Sequence, residues 1–139
     1  MKRTLIAALA AGVAVVALAG CGSGGEPSPI VGILWKWNGS LQVNPHQLSA
    51  VPNPDNYLIT FAEGNVFQAK ADCNQLTGSY ELGETNLTIT PGPTTQAHCG
   101  EHSLATEFVN QLSQVTSWSI KENELELGLK GGGAMYFRE

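Results

Sequence analysis

The stretch NYLITFAEGNVFQAKA, residues 56–71, holds two alternating runs on either side of Glu63-Gly64-Asn65. In the first run Tyr57, Ile59 and Phe61 share one face; in the second Phe67, Ala69 and Ala71 do. A period of two puts successive side chains on opposite faces of a strand, and a Gly-Asn turn between two such runs is a hairpin signal. The flanking sequence repeats the pattern. Val31 to Trp37 alternates, with Ile33, Trp35 and Trp37 on one face. Gly78 to Leu82 and Leu87 to Thr90 predict a second hairpin across residues 83–86, and Pro91-Gly92-Pro93 is expected to end it.

The period then changes. Leu104, Phe108, Leu112 and Val115 are spaced by four, four and three residues, which predicts one amphipathic helix over 103–114 with Ser103 as its N-cap. Phe108 lies mid-stripe and is expected to face the sheet, against the rows Ile33/Trp35, Ile59/Phe61 and Leu125/Leu127. Glu107 and Gln111 are expected on other faces. Strands 117–121, 125–129 and 134–138 follow, with turns at Glu122-Asn123 and Gly131-Gly132-Gly133. The expected class is mainly β (α+β): a curled antiparallel sheet, or small partly open barrel, of about eight short strands with one helix packed across it. Residues 38–56 contain three prolines and four asparagines and show no period. They predict a long loop, a candidate functional segment in which His46 is solvated.

A chain of 139 residues allows one domain of ordinary size. With 42% apolar and 14% charged residues it is globular in composition, and seven basic residues in a chain of net charge −5 argue against nucleic acid as a partner. The amino terminus follows a different logic. Lys2 and Arg3 precede an apolar run from Leu5 to Ala19, which ends in Leu18-Ala19-Gly20-Cys21. Charge, short apolar core and small residues before a cysteine make a signal segment, and the last four residues resemble a bacterial lipobox. The expected organisation is a lipoprotein signal peptide at 1–20, a flexible Gly/Ser/Pro linker at 21–29, and a domain at 30–139. Removing 1–20 takes Lys2 and Arg3 with it and deepens the charge from −5 to −7. Acylation at Cys21 would anchor the chain in a membrane, since each buried CH₂ contributes about 0.8 kcal/mol. The expected location is the periplasmic face or cell exterior, and the expected state a monomer.

With Cys21 assigned to the lipid, Cys73 and Cys99 remain. An even number of cysteines in an exported chain predicts a disulfide, contributing about 3.5 kcal/mol in the chain-entropy model. The alternative is a metal site in which Cys73 and Cys99 join His98 and His102, residue types that suit zinc or copper, although no C-x₂-C pair is present. No G-x-S-x-G occurs, and no serine has an evident His-and-acid constellation. Glu122, Glu124 and Glu126 alternate along one strand as a solvated face. Asn74, directly after Cys73, is expected to satisfy backbone groups where a strand breaks. No cofactor is expected.

Taken in order, several segments resemble the META domain family, which includes HslJ-like lipoproteins of the bacterial envelope. They are Trp35, Tyr57–Phe61, Lys70-Ala71-Asp72-Cys73-Asn74, Gly78-Ser79-Tyr80, Leu87-Thr88-Ile89, Thr95-Gln96-Ala97-His98-Cys99, Glu107-Phe108, Leu125-Glu126-Leu127 and Met135-Tyr136-Phe137. The resemblance runs from about Ile30 to Phe137. It implies a small barrel-like sheet with one helix and a stress- or tolerance-related envelope role without an established catalytic residue. Cys73, Asn74 and Cys99 carry over as structural positions. The leading expectation is a lipid-anchored, non-enzymatic binding module. The alternatives are a small-ligand carrier lined by Trp35, Trp37 and Trp118, a protease-type inhibitor presenting loop 38–56, and a metal or redox protein using Cys73 and Cys99. An unidentified protein or small molecule is the expected partner.

Overall fold

A computed structural model describes Gly20, Gly25 and residues 27–139 of the chain. The signal segment 1–20 (Gly20 apart), Cys21 and most of the 21–29 linker lie outside the described residues. Among those described, no helix is long and apolar enough to cross a membrane.

Nine strands and one helix are formed: β1 Leu34–Val43, β2 His46–Ala50, β3 Tyr57–Ala62, β4 Val66–Ala71, β5 Asn74–Leu82, β6 Leu87–Thr94, α1 Ala105–Leu112, β7 Val115–Lys121, β8 Glu124–Leu129 and β9 Ala134–Arg138. All strand pairs are antiparallel, in the order β6-β5-β4-β3-β1-β9-β8-β7, with β2 paired to β1 beyond the end of β3. The sheet curls into a half-barrel whose two ends meet at one bridge, Asn86 to Ser117. The Trp118 amide and ring N–H donate there to the Thr85 and Gly83 carbonyls, both at 3.0 Å.

The central hairpin forms as its sequence dictates. Tyr57 pairs with Ala71 and Ala62 with Val66, and Gly64 and Asn65 take the positive φ values the turn needs. Glu122 and Asn123, φ 50° and 67°, turn β7 into β8 in the same way. The inward row from Trp35 and Trp37 through Ile59, Phe61 and Phe67 to Leu125, Leu127 and Phe137 is buried. Helix α1 packs on this concave face. Phe108 is fully buried, with ring centroids 5.2 Å from Trp37, 5.8 Å from Tyr57 and 6.3 Å from Phe137. Trp37 and Tyr57 sit one step along the expected rows, and Phe137 lies across from Leu125 on the neighbouring strand β9.

Four expectations are corrected. Residues 38–56 are not a long loop: β1 continues to Val43, turns at Asn44-Pro45 and returns as β2, pairing Gly39 with Ala50 and Val43 with His46. A bulge between Trp37 and Gly39 resets the alternation, so Ser40 faces the core while Leu41 faces out. Six strands rather than five therefore precede the helix. β6 runs through Pro91-Gly92-Pro93 to Thr94; it is an edge strand, where a missing N–H is tolerated, and a register shift opposite Gly78 absorbs the misfit. The helix begins at Ala105, not Ser103, although the Ser103 hydroxyl still accepts from the Ala105 amide at 3.2 Å. Gln111, expected on an outer face, is only 7% exposed.

Candidate functional site

Two surfaces hold the residues of interest. The first surrounds Cys73 and Cys99. Cys73 sits in the Asp72-Cys73 turn between β4 and β5; Cys99 sits in the segment joining β6 to α1. They form a disulfide with Cα atoms 5.5 Å apart, inside the usual range. Asn74 is buried beneath it. Its Oδ1 accepts from the Ala97 amide at 2.8 Å and the Thr95 hydroxyl at 3.1 Å. Its Nδ2 donates to the Ala97 carbonyl at 3.0 Å and to Cys99 Sγ at 3.3 Å. The Cys73 amide donates to the same sulfur at 3.2 Å. Gln75 and Thr95 add two reciprocal bonds, so residues 95–99 are fastened to β5 as a short extra edge. Tyr57 completes the corner: its hydroxyl accepts from the Leu104 amide at 2.8 Å and donates to Asp72 at 3.4 Å, tying the start of α1 to the β4–β5 turn.

Beside this corner lies an open hollow of about 490 Å³, lined by Ala71, Asn74, Thr95, His98, Ala105 and Asn110 among others. His98 and His102 are both exposed. The metal set expected from these histidines with Cys73 and Cys99 is not assembled, because both sulfurs are spent on the bridge. Among the described residues no cluster of three or more His, Cys, Asp or Glu is placed to hold an ion.

The second surface is the outer face of the β2-β1-β9-β8 half. Gly39 lies between Ala50 on β2 and Tyr136 on β9. A Cβ there would stand 2.6 Å from the Ser49 carbonyl oxygen, so glycine lets β1 and β2 approach and leaves a floor without a side chain. Leu41, Leu48, Tyr136 and Arg138 line the groove above it, together with His46 and Glu124. This groove also measures about 490 Å³. Leu48 is 71% exposed, the most exposed large apolar side chain of the described residues. Arg138 Nε donates to Glu124 at 3.0 Å, so the rim charges neutralise one another. Burial, then the carboxylates of Glu126 and Glu124, push the Tyr136 phenol above its ordinary value. β2 has no strand on its other side among the described residues.

The tryptophans pack rather than line a pocket. Trp35 and Trp37 are core residues whose ring N–H groups donate to the Ile30 carbonyl at 3.0 Å and the Gly39 carbonyl at 2.9 Å. Trp118 is half-buried at the seam, and none of the three lines the hollows described here. Trp37 also donates to Ser40 Oγ at 3.1 Å, Ser40 donates to Gln111 Oε1, and Gln111 Nε2 donates to Glu107 at 2.9 Å. This buried chain joins α1 to β1. Its sequence signal is faint: Gln111 is a polar residue at the edge of the apolar stripe, and Ser40 is inward only because of the bulge before it.

An antiparallel half-barrel closed by one helix, with a bridged Cys-Asn corner, defines a small, mainly β domain. Residues 36–139 match the META domain, and the chain belongs to that family. Two solved structures share the fold. A protein from Burkholderia xenovorans, solved by NMR, is 21% identical with a TM-score of 0.63, over 78% of this chain and 82% of its own. The crystal structure of a DUF4847 family protein from Bacteroides vulgatus is 13% identical with a TM-score of 0.61, over 79% and 94%. No curated protein matches the chain.

Proposed function

We propose that this META-domain protein is a non-enzymatic binding module held at the bacterial envelope by lipid on Cys21, facing the periplasm or cell exterior. A bridge with one exposed cysteine suits an oxidising compartment, which an exported chain would reach. The nine residues 21–29 could keep the domain within about 30 Å of the anchor.

The observation that carries the binding role is the Gly39 groove, where exposed Leu48 stands beside an unpaired strand edge. An extended peptide fits such a place: its backbone adds to β2, and one apolar side chain enters between Leu48 and Tyr136. Residues 39–51 carry no acidic or basic side chain apart from His46, in a chain that is acidic elsewhere. The fitting occupant is therefore an uncharged, apolar segment. This replaces the expected 38–56 inhibitor loop with a paired ribbon. A screen of immobilised peptides against the purified domain tests it. Retained peptides should share an apolar residue in an extended context and lose at least tenfold in affinity with Leu48→Glu. No retained peptide, or equal retention by Leu48→Glu, would contradict the reading.

A further inference from the structure

We propose that the Cys73–Cys99 bridge is a thiol–disulfide exchange site, opened by a dithiol that attacks Cys73 Sγ and expels Cys99 as a thiolate. The two sulfurs are not equivalent. Cys73 is exposed on its turn, whereas Cys99 is half-buried. Cys73 is thus the more open of the two residues to an incoming thiolate. The leaving sulfur already has two N–H donors, the Cys73 amide at 3.2 Å and Asn74 Nδ2 at 3.3 Å. Hydrogen bonds to the charged form lower a thiol's pKa, and a lower leaving-group pKa speeds exchange. Asn74 cannot swing away, because its amide is fixed on both sides by Thr95 and Ala97. The Ala97 carbonyl, 3.6 Å from Cys99 Sγ and 3.9 Å from Cys73 Sγ, accepts from Asn74 Nδ2. The neighbouring Asp72 carboxylate accepts from the Tyr57 hydroxyl.

The step balances as follows. The attacker's sulfur bonds to Cys73 Sγ, the Cys73–Cys99 bond breaks, and its electron pair leaves on Cys99 Sγ. The attacker's second thiolate then closes its own disulfide and releases Cys73 Sγ. The bridge is reduced to two thiols and the dithiol is oxidised. The bonds from Asn74, Gln75 and Thr95 keep residues 95–97 on β5 throughout, so Cys99 stays beside Cys73. A monothiol adduct on Cys73 will consequently reclose by attack of Cys99, and only a dithiol completes the reduction.

The test uses the full chain with Cys21→Ser in mild detergent, leaving two cysteines, so its outcome is independent of lipidation. Glutathione is added under native conditions, free thiols are trapped by alkylation after an acid quench, and peptides are located by mass spectrometry. The expected result is glutathione on Cys73 and the alkyl group on Cys99, at least tenfold over the reverse isomer. Dithiothreitol should free both. Asn74→Asp keeps the acceptor for Ala97 and Thr95 but sets a carboxylate against the leaving thiolate; it should slow opening at least tenfold while circular dichroism shows the fold retained. Adducts mainly on Cys99 or evenly split would overturn the proposal, as would opening only at the rate of global unfolding or an unchanged rate in folded Asn74→Asp. If Asn74→Asp fails to fold, the isomer ratio in the chain that keeps Asn74 decides.

Discussion

Replacing Phe108 with alanine removes the largest of the side chains that α1 buries in the half-barrel. Its ring is fully buried and meets Trp37, Tyr57 and Phe137 at centroid distances of 5.2, 5.8 and 6.3 Å. Truncating a buried Phe to Ala costs about 3–5 kcal/mol, the lost transfer energy plus the cavity left behind. The site should sit toward the upper end, because Trp37 and Phe137 belong to hydrogen-bonded strands that cannot slide inward to fill the space. A domain of this size is stable by about 5–15 kcal/mol, so the variant loses a large share of the total. With a urea slope of about 2 kcal/mol/M, a loss of about 4 kcal/mol moves the midpoint down by about 2 M. Thr106, exposed on the same helix, supplies the control. Thr106→Ala should shift the midpoint by less than about 0.3 M, the equivalent of about 0.5 kcal/mol. Urea titrations followed by tryptophan fluorescence compare the two directly. Equal midpoints would refute the placement of Phe108 and, with it, the account of how the sheet is closed.

Ser40→Ala leaves Gln111 Oε1 buried without its donor and should cost about 1–3 kcal/mol; a double-mutant cycle with Gln111→Leu should show coupling, and strict additivity would dissolve the Trp37–Ser40–Gln111 chain. Cys73→Ala with Cys99→Ala should cost at most about 3.5 kcal/mol, since the Asn74 bonds keep residues 95–97 in place; a loss of fold at room temperature would contradict that. Burial, and then Glu63, raise the Tyr80 phenol above its ordinary 10.0. A folded-state pKa above the unfolded one gives stability that is full below about pH 10 and lost as pH rises through the folded value, so unfolding midpoints should fall above pH 10. Tyr80→Phe should flatten that fall while giving up the bond to the Ala62 carbonyl, and an unchanged slope would rule out this origin.

The 56–71 hairpin and the 117–129 pair are readable from sequence because they follow period two and pack one face on the core, Trp118 and Ile120 of β7 only partly buried there. The helix was readable because Phe108 and Leu112 face inward. Where strand pairing rather than burial sets the structure, the pattern fails. After the bulge at Trp37 the ribbon of β1 and β2 leaves the core, so Leu41 and Leu48 point out and no periodic row marks them. Pro91 and Pro93 read as a stop, yet on an edge strand their missing amides cost no ladder bond. Counting pairs Cys73 with Cys99, and the position of Asn74 directly after Cys73 marks it in the sequence. That Asn74 would hold Ala97 and Thr95 across β5 depends on contacts 21 to 23 residues apart, which no local pattern carries. The groove rested on Gly39 and Tyr136, brought together only by the β1–β9 register.

The claim on which the functional account turns is the tether at Cys21. Cells producing the unaltered chain and the Cys21→Ser variant are fractionated, and the amino-terminal peptide of each product is weighed by mass spectrometry. The account predicts a product that begins at Cys21, carries acyl chains and stays with the membrane, and a variant that is released or left unprocessed. A chain cleaved elsewhere, an unmodified Cys21, or a processed Cys21→Ser product that still fractionates fully with the membrane would contradict it.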